Sequence, residues 1–164
     1  MHKNAELLQR FYTAFAALDA DAMQACYAAD ACFRDEAFTL DGAVQIGAMW
    51  RMLCTATQAK GRDVWRLAFN GIEADDQRGQ AHWEAHYRFS ATGRMVHNII
   101  DGRFVFRDGL IADHVDRFDF WRWSRQALGT PGLLLGWSPF LKAKVRATAA
   151  ANLARFQASS PAGR

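Results

Sequence analysis

Cysteine is scarce in this chain: Cys26, Cys32 and Cys54 form an odd set with no CxxC spacing. That argues against a disulfide framework and a zinc knuckle, and leaves reduced, mostly buried thiols as the expectation. Charge of one sign is equally short. Twenty Lys and Arg against 17 Asp and Glu leave a net +3, with the basic residues scattered and no groove-entering motif among them, so no nucleic-acid partner is expected. No apolar run approaches a membrane span, and Met1-His2-Lys3-Asn4-Ala5-Glu6 lacks the apolar stretch of a secretory signal. A cytoplasmic location and no membrane partner are the corresponding expectations. There is no GxGxxG, Walker loop, GxSxG elbow or Cys/His dyad, so no organic cofactor is implied, and nucleophilic serine or thiol chemistry has no motif to carry it.

What is present is globular. At 164 residues the chain is long enough for one domain with its own core, and 12 Phe with 6 Trp give that core a heavy aromatic content. Leu7, Leu8, Phe11, Phe15 and Leu18 recur at helical spacing with Asn4 as the expected N-cap. A second short helix is expected over 21–27 and a third over 44–57, carrying Ile46, Trp50 and Leu53. The period then falls to two. Strands are predicted over 63–72, 80–89, 95–106 and 110–120, separated by Asp75-Asp76, Ala91-Thr92-Gly93 and Arg107-Asp108-Gly109. Ser138-Pro139 opens a last helix to about Phe156, expected to bury Leu141, Val145, Leu153 and Phe156. Helices first and a meandering antiparallel sheet afterwards make an α+β domain with room for a cavity between the two.

This order, together with Tyr27-Ala-Ala-Asp30-Ala-Cys-Phe33-Arg-Asp35, the turn Ala91-Thr92-Gly93-Arg94 and the segment from Asp108-Gly109 through His114 and Asp116 to Asp119, resembles the SnoaL-like members of the nuclear transport factor two-like superfamily. The resemblance covers about residues 5–120. It implies a cone: a strongly curved antiparallel sheet wrapped around the N-terminal helices, an apolar pocket inside, and frequent homodimerisation. An extra C-terminal helix lies beyond it. The expected division is 1–128 for the domain, 129–158 for a loop and helix packed on it or on a partner subunit, and 159–164 for a disordered tail.

Proteins of this superfamily differ in chemistry, so residues must decide. Compared with ketosteroid isomerase, Asp35 matches the base, Phe11 stands where a donor Tyr is needed, and Asp101 aligns with the donor Asp only through a turn one residue shorter. A one-residue slip would turn Asp101 to the other face. Compared with limonene epoxide hydrolase, Asp116 matches one catalytic Asp and Asp35 takes the place of a water-holding Asn. Phe33, Trp83 and Ala85 replace the Tyr, Arg and second Asp, so neither mechanism carries over whole.

Both comparisons leave Asp35 and Asp116 pocket-facing on different walls. Two carboxylates in an apolar cavity repel and are desolvated, which separates them into an acid and a base. His114, two residues before Asp116 on the same strand face, is placed to orient it or to titrate itself. Trp50, Trp83, Tyr87, Asn98 and Phe118 are the expected substrate-binding wall, and the expected partner is a small apolar molecule. The plain alternative is that Asp35 holds a turn, that His114 and Asp116 are a satisfied buried pair, and that the protein binds a ligand or dimerises without catalysis. Asp119 is expected to be structural. His82, Glu84 and His86 share one strand face, with His97 and Asp101 opposite in an ungapped hairpin. That outer-face cluster is either a solvated or dimer-buried polar face in which His and acid groups pair, or a divalent-metal set.

Overall fold

The computed structural model describes residues 1–160. The expected tail falls outside them except for Ser159, which ends the last helix, and Ser160, which caps it.

Three helices and two strands come first: α1 (Lys3–Ala16), α2 (Ala20–Gln24), β1 (Tyr27–Arg34), β2 (Thr39–Asp41) and α3 (Ala43–Lys60). The meander β3 (Arg66–Ala74), β4 (Arg78–Arg88), β5 (Met95–Arg107) and β6 (Leu110–Arg117) follows. The chain then closes with α4 (Phe120–Leu128), α5 (Thr130–Leu135) and α6 (Pro139–Ser159). The six strands form one open sheet in the order β2-β1-β6-β5-β4-β3. Every pairing is antiparallel except β1 with β6, which is parallel, so the sheet is mixed and not wholly antiparallel as the sequence suggests. No helix is long and apolar enough to cross a membrane among the described residues.

Local chemistry explains the joints. Asp108 and Gly109 both adopt positive φ, 53° and 74°, the two-residue turn whose twist suits a tight hairpin. The cap of α1 is the imidazole of His2, which accepts from the Asn4 N–H, and not Asn4 as expected. Asn4 is instead buried, donating through Nδ2 to the carbonyls of Asp75 and Asp76, so it ties α1 to the β3–β4 turn. Asp19, Asp119 and Ser138 cap α2, α4 and α6, each accepting a backbone N–H of the first turn. Along α6, Leu141 and Leu153 are buried while Val145 and Phe156 are only partly so.

Alternation along β4 and β5 sends Ala81, Trp83, Ala85, Tyr87, Val96, Asn98, Ile100, Phe104 and Phe106 inward, with Val96 packed against Phe120, Trp123 and Ala127 of α4. In β6 a bulge inserts Ala112: Val105 pairs with Asp113 but Phe106 pairs with Ile111. The extra residue reverses parity. Ile111, His114 and Asp116 therefore all point inward, which strict alternation would forbid.

Candidate functional site

Between the inner face of the sheet, α3 and the C-terminal helices lies a cavity of about 550 Å³, within the range of small-molecule sites. Trp50, Trp83, Tyr87, Asn98 and Phe118 line it, as do Asp35 from the β1–β2 turn and Asp116 from β6. His114 does not. It is fully buried behind Asp116 and reaches the cavity only through that carboxylate.

His114 belongs to a chain of buried hydrogen bonds whose polarity follows from donor counting. The Trp50 indole Nε1–H donates to the Tyr27 hydroxyl at 3.1 Å, leaving that hydroxyl's own proton for His114 Nδ1 at 2.8 Å. His114 Nε2–H then donates to Asp116 Oδ1 at 2.8 Å, and Trp83 Nε1–H reaches the same oxygen at 3.5 Å. A neutral imidazole between a phenol and a carboxylate satisfies every member. Burial pushes the Tyr27 hydroxyl well above the usual phenol range, which keeps it a donor at all ordinary pH.

Asp35 is held differently. Its Oδ1 accepts the backbone N–H groups of Ala37 at 2.7 Å and Phe38 at 2.6 Å, closing the turn into β2. Burial, with a smaller contribution from the Asp116 charge, raises its carboxyl to about 6 against the pull of those two N–H groups. Tyr87, pushed up to about 12 by burial, accepts the Trp123 Nε1–H at 2.8 Å, so the phenolic proton remains available to the cavity. Asn98 is buried on the same wall.

Three features, Tyr27, the Tyr12 hydroxyl and the gap at Gly102, escaped the sequence reading. Tyr27 is the relay member between Trp50 and His114, and nothing local to β1 marks it as such. Tyr12, on the turn of α1 that also carries Phe11, is buried with its hydroxyl unpartnered among the described residues. A Cβ at Gly102 would lie 3.0 Å from both the Tyr12 hydroxyl and Asp116 Oδ1, so the two converge on a space that glycine leaves open. Phe11 itself packs edge-on against Tyr27, Trp50 and His114. The C-terminal segment contributes as well: Trp123, Leu128, Pro131, Leu141, Lys144 and Val145 close one side of the cavity. Its docking is visible in Arg146, which donates to the Asp35 and Glu36 carbonyls at 3.2 Å and to Thr39 Oγ1 at 2.6 Å, and in the Lys142–Glu36 ion pair.

Asp101 faces the opposite side of the sheet, where it accepts from His82 Nδ1 at 2.8 Å. His82 pairs with Asp101 and His86 with His97 across an ungapped hairpin. Glu84 takes His97 Nε2 at 2.6 Å and His82 Nε2 at 3.4 Å, while His86 stacks on His97 with ring centroids 4.0 Å apart. These groups satisfy one another. Among the described residues no group of three or more His, Cys, Asp or Glu side chains is disposed to hold a metal ion. Asp119 serves as the α4 cap.

The fold is shared with proteins of several descriptions. A putative polyketide cyclase from Xanthomonas campestris superposes with a TM-score of 0.59 at 22% identity, over 76% of this chain and 96% of the other. An LEH-like epoxide hydrolase from M. tuberculosis gives 0.61 at 19% identity, over 80% and 92%. A protein of ketosteroid isomerase-like fold from Catenulispora acidiphila, in complex with trimethylamine, gives 0.62 at 16% identity, over 82% and 98%. No curated protein matches the sequence. The family model for the SnoaL-like domain matches residues 8–114, from α1 to the inward-facing histidine of β6, and on that match the chain belongs to the SnoaL-like family.

Proposed function

We propose that this protein is a cofactor-independent proton-transfer enzyme acting on a small, largely apolar molecule, with Asp35 and Asp116 as its acid–base pair. The observation that carries this reading is that two carboxylates from different elements line one cavity walled by Trp50, Trp83 and Phe118. A carboxyl raised to about 6 is close enough to neutrality to take and return a proton, which is what general acid–base catalysis requires. Asp116, with Oδ1 committed to His114 and Trp83, is oriented toward the cavity by a side chain that never touches the ligand. His114 is thus a positioning residue.

The wall also supplies a donor. The free phenolic proton of Tyr87 suits a substrate carbonyl oxygen, and Asn98 provides a second polar group nearby. A carbon acid next to that carbonyl would lose its proton to one carboxylate, its enolate oxygen would be held by Tyr87, and a proton would return from the other carboxyl to the same carbon or, where a double bond extends the enolate, to the far end of the conjugated system. Isomerase, cyclase, dehydratase and hydrolase reactions all draw on such a pair. The second reading, a ligand binder without catalysis, is favoured by one feature: the two N–H bonds to Asp35 Oδ1 are what a purely structural turn carboxylate makes.

Proton exchange decides between them. In D2O, with a set of small cyclic and aromatic ketones, the protein is expected to catalyse deuterium incorporation next to the carbonyl, followed by NMR. Asp35→Asn and Asp116→Asn are each expected to slow it by about 10² to 10⁴-fold. Ketones that raise the melting temperature of wild type and of both variants equally, without exchange in any of them, would establish the binder instead.

A further inference from the structure

Half of the large apolar side chains that the surface exposes sit in one short stretch: Trp121, Leu133, Leu134, Leu135, Trp137 and Phe140. Trp137 is 74% exposed, Phe140 72% and Leu134 62%, values at which a tryptophan and a phenylalanine contribute nothing to the core. The stretch is spatially continuous. The Trp121 indole donates to the Leu133 carbonyl at 3.2 Å and the Trp137 indole to the Leu134 carbonyl at 2.8 Å, which pins both rings to α5. Patches of this kind mark a surface that meets something apolar.

The charge distribution says what that is. All 17 acidic residues of the chain lie in residues 1–119, while residues 120–160 carry six Lys or Arg and no Asp or Glu. One of these groups borders the patch directly, the Arg125 guanidinium lying 4.4 Å over the Trp121 ring, and Lys142, two residues past Phe140, lies 5.9 Å from the buried Phe120 ring. Lys142 alone among these has an acidic neighbour, Glu36. Self-association through this patch about a two-fold axis would bring like charges face to face. An apolar tip carrying Trp and Phe, with Arg125 beside it on a segment that has no carboxylate side chain of its own, matches instead a bilayer surface whose headgroups are anionic.

We propose that the α4–α5–α6 corner docks on an anionic lipid surface, inserting Leu134, Trp137 and Phe140 to the depth of the headgroups while Arg125 faces the phosphates. This is peripheral contact, so it departs from the expectation of no membrane partner without invoking a span. The surface arises only when the Gly129 and Gly136 breaks fold the segment into a corner, which is why no long apolar run announces it.

Co-sedimentation of the full chain with phosphatidylcholine vesicles, and with vesicles mixed equally with phosphatidylglycerol, tests it. Retention is expected on the mixed vesicles and not on phosphatidylcholine alone. Phe140→Glu and Leu134→Glu should each weaken it about tenfold or more, the loss of one buried apolar side chain. Arg125→Gln should weaken it about fivefold. All three positions are exposed, so unchanged thermal unfolding serves as the folding control. Absence of retention on mixed vesicles, or retention indifferent to Phe140→Glu and Leu134→Glu, overturns the proposal. So does light scattering in which Phe140→Glu halves the mass of the lipid-free protein, since the patch would then be an interface between copies.

Discussion

At position 35 a carboxylate accepts two backbone N–H groups through one oxygen while the other faces an apolar cavity, and that makes its charge state a variable of stability. The folded carboxyl is raised to about 6 from its ordinary 3.8. Between those values the folded state holds the proton more tightly than the unfolded state, so stability falls as pH rises through the window. Above it the full penalty applies, no more than about 3 kcal/mol and less for the partial exposure of the group. Asn keeps the Oδ1 acceptor and removes the charge. Asp35→Asn should therefore be more stable than wild type by about 1–2 kcal/mol near pH 8, and the difference should vanish near pH 3. Urea unfolding at the two pH values checks this, and a constant difference would mean the carboxylate is not desolvated. Gly102 supplies a second test: an added Cβ would sit 3.0 Å from Asp116 Oδ1 and 3.1 Å from a Phe104 ring carbon, displacing the carboxylate from His114. Gly102→Ala is expected to cost about 1–3 kcal/mol in chemical denaturation and to lower ketone deuteration at least as much as the His114 contact is worth.

At the scale of elements, α6 is held against the turn that carries Asp35 by Arg146, which has three acceptors there, and by the Lys142–Glu36 ion pair. Arg146→Met keeps the apolar stem and removes the guanidinium. Amide exchange along α6 should then accelerate by more than that of α1 or β5, reflecting about 1–3 kcal/mol of lost docking energy. Uniform acceleration across all three would show that α6 does not open separately. The same scale shows what was legible in the sequence. The meander was readable because its signals are local: period-two alternation and Asp108-Gly109 at a tight turn. The parallel β1–β6 pairing was not, because Tyr27 meets Ile111 across a separation no local pattern encodes. The inward parity of His114 and Asp116 depends on the Ala112 bulge, which a strict alternation count from Ile111 would place outward. Asp35, Asp116 and the aromatic wall could be nominated from residue type and resemblance. The relay through Tyr27 and the Tyr12 hydroxyl required tertiary contacts to appear.

On the whole molecule, the sheet has one face given to the cavity and α1, and another that carries His82, Glu84, His86, His97 and Asp101 together with exposed Met95, Ile99 and Val105. Three apolar side chains along β5, interspersed with the His82–Asp101 and His97–Glu84 pairs, suit a symmetric contact, because these pairs reach the interface already hydrogen-bonded. A homodimer through this face should show twice the 18.4 kDa chain mass in light scattering. Ile99→Asp and Val105→Asp, both outward-facing, should reduce it to the monomer mass with the fold intact by circular dichroism. The corner at Phe140 and the strand at Ile99 belong to different elements, so the two surfaces are separable by mutation. Phe140→Glu is expected to keep the dimer and lose vesicle binding, and Ile99→Asp to lose the dimer while retaining weaker vesicle binding, since a dimer presents two corners and gains from their joint attachment. If Ile99→Asp leaves the mass unchanged, the outer face is a solvated polar surface, and its His–acid pairs stabilise the sheet alone.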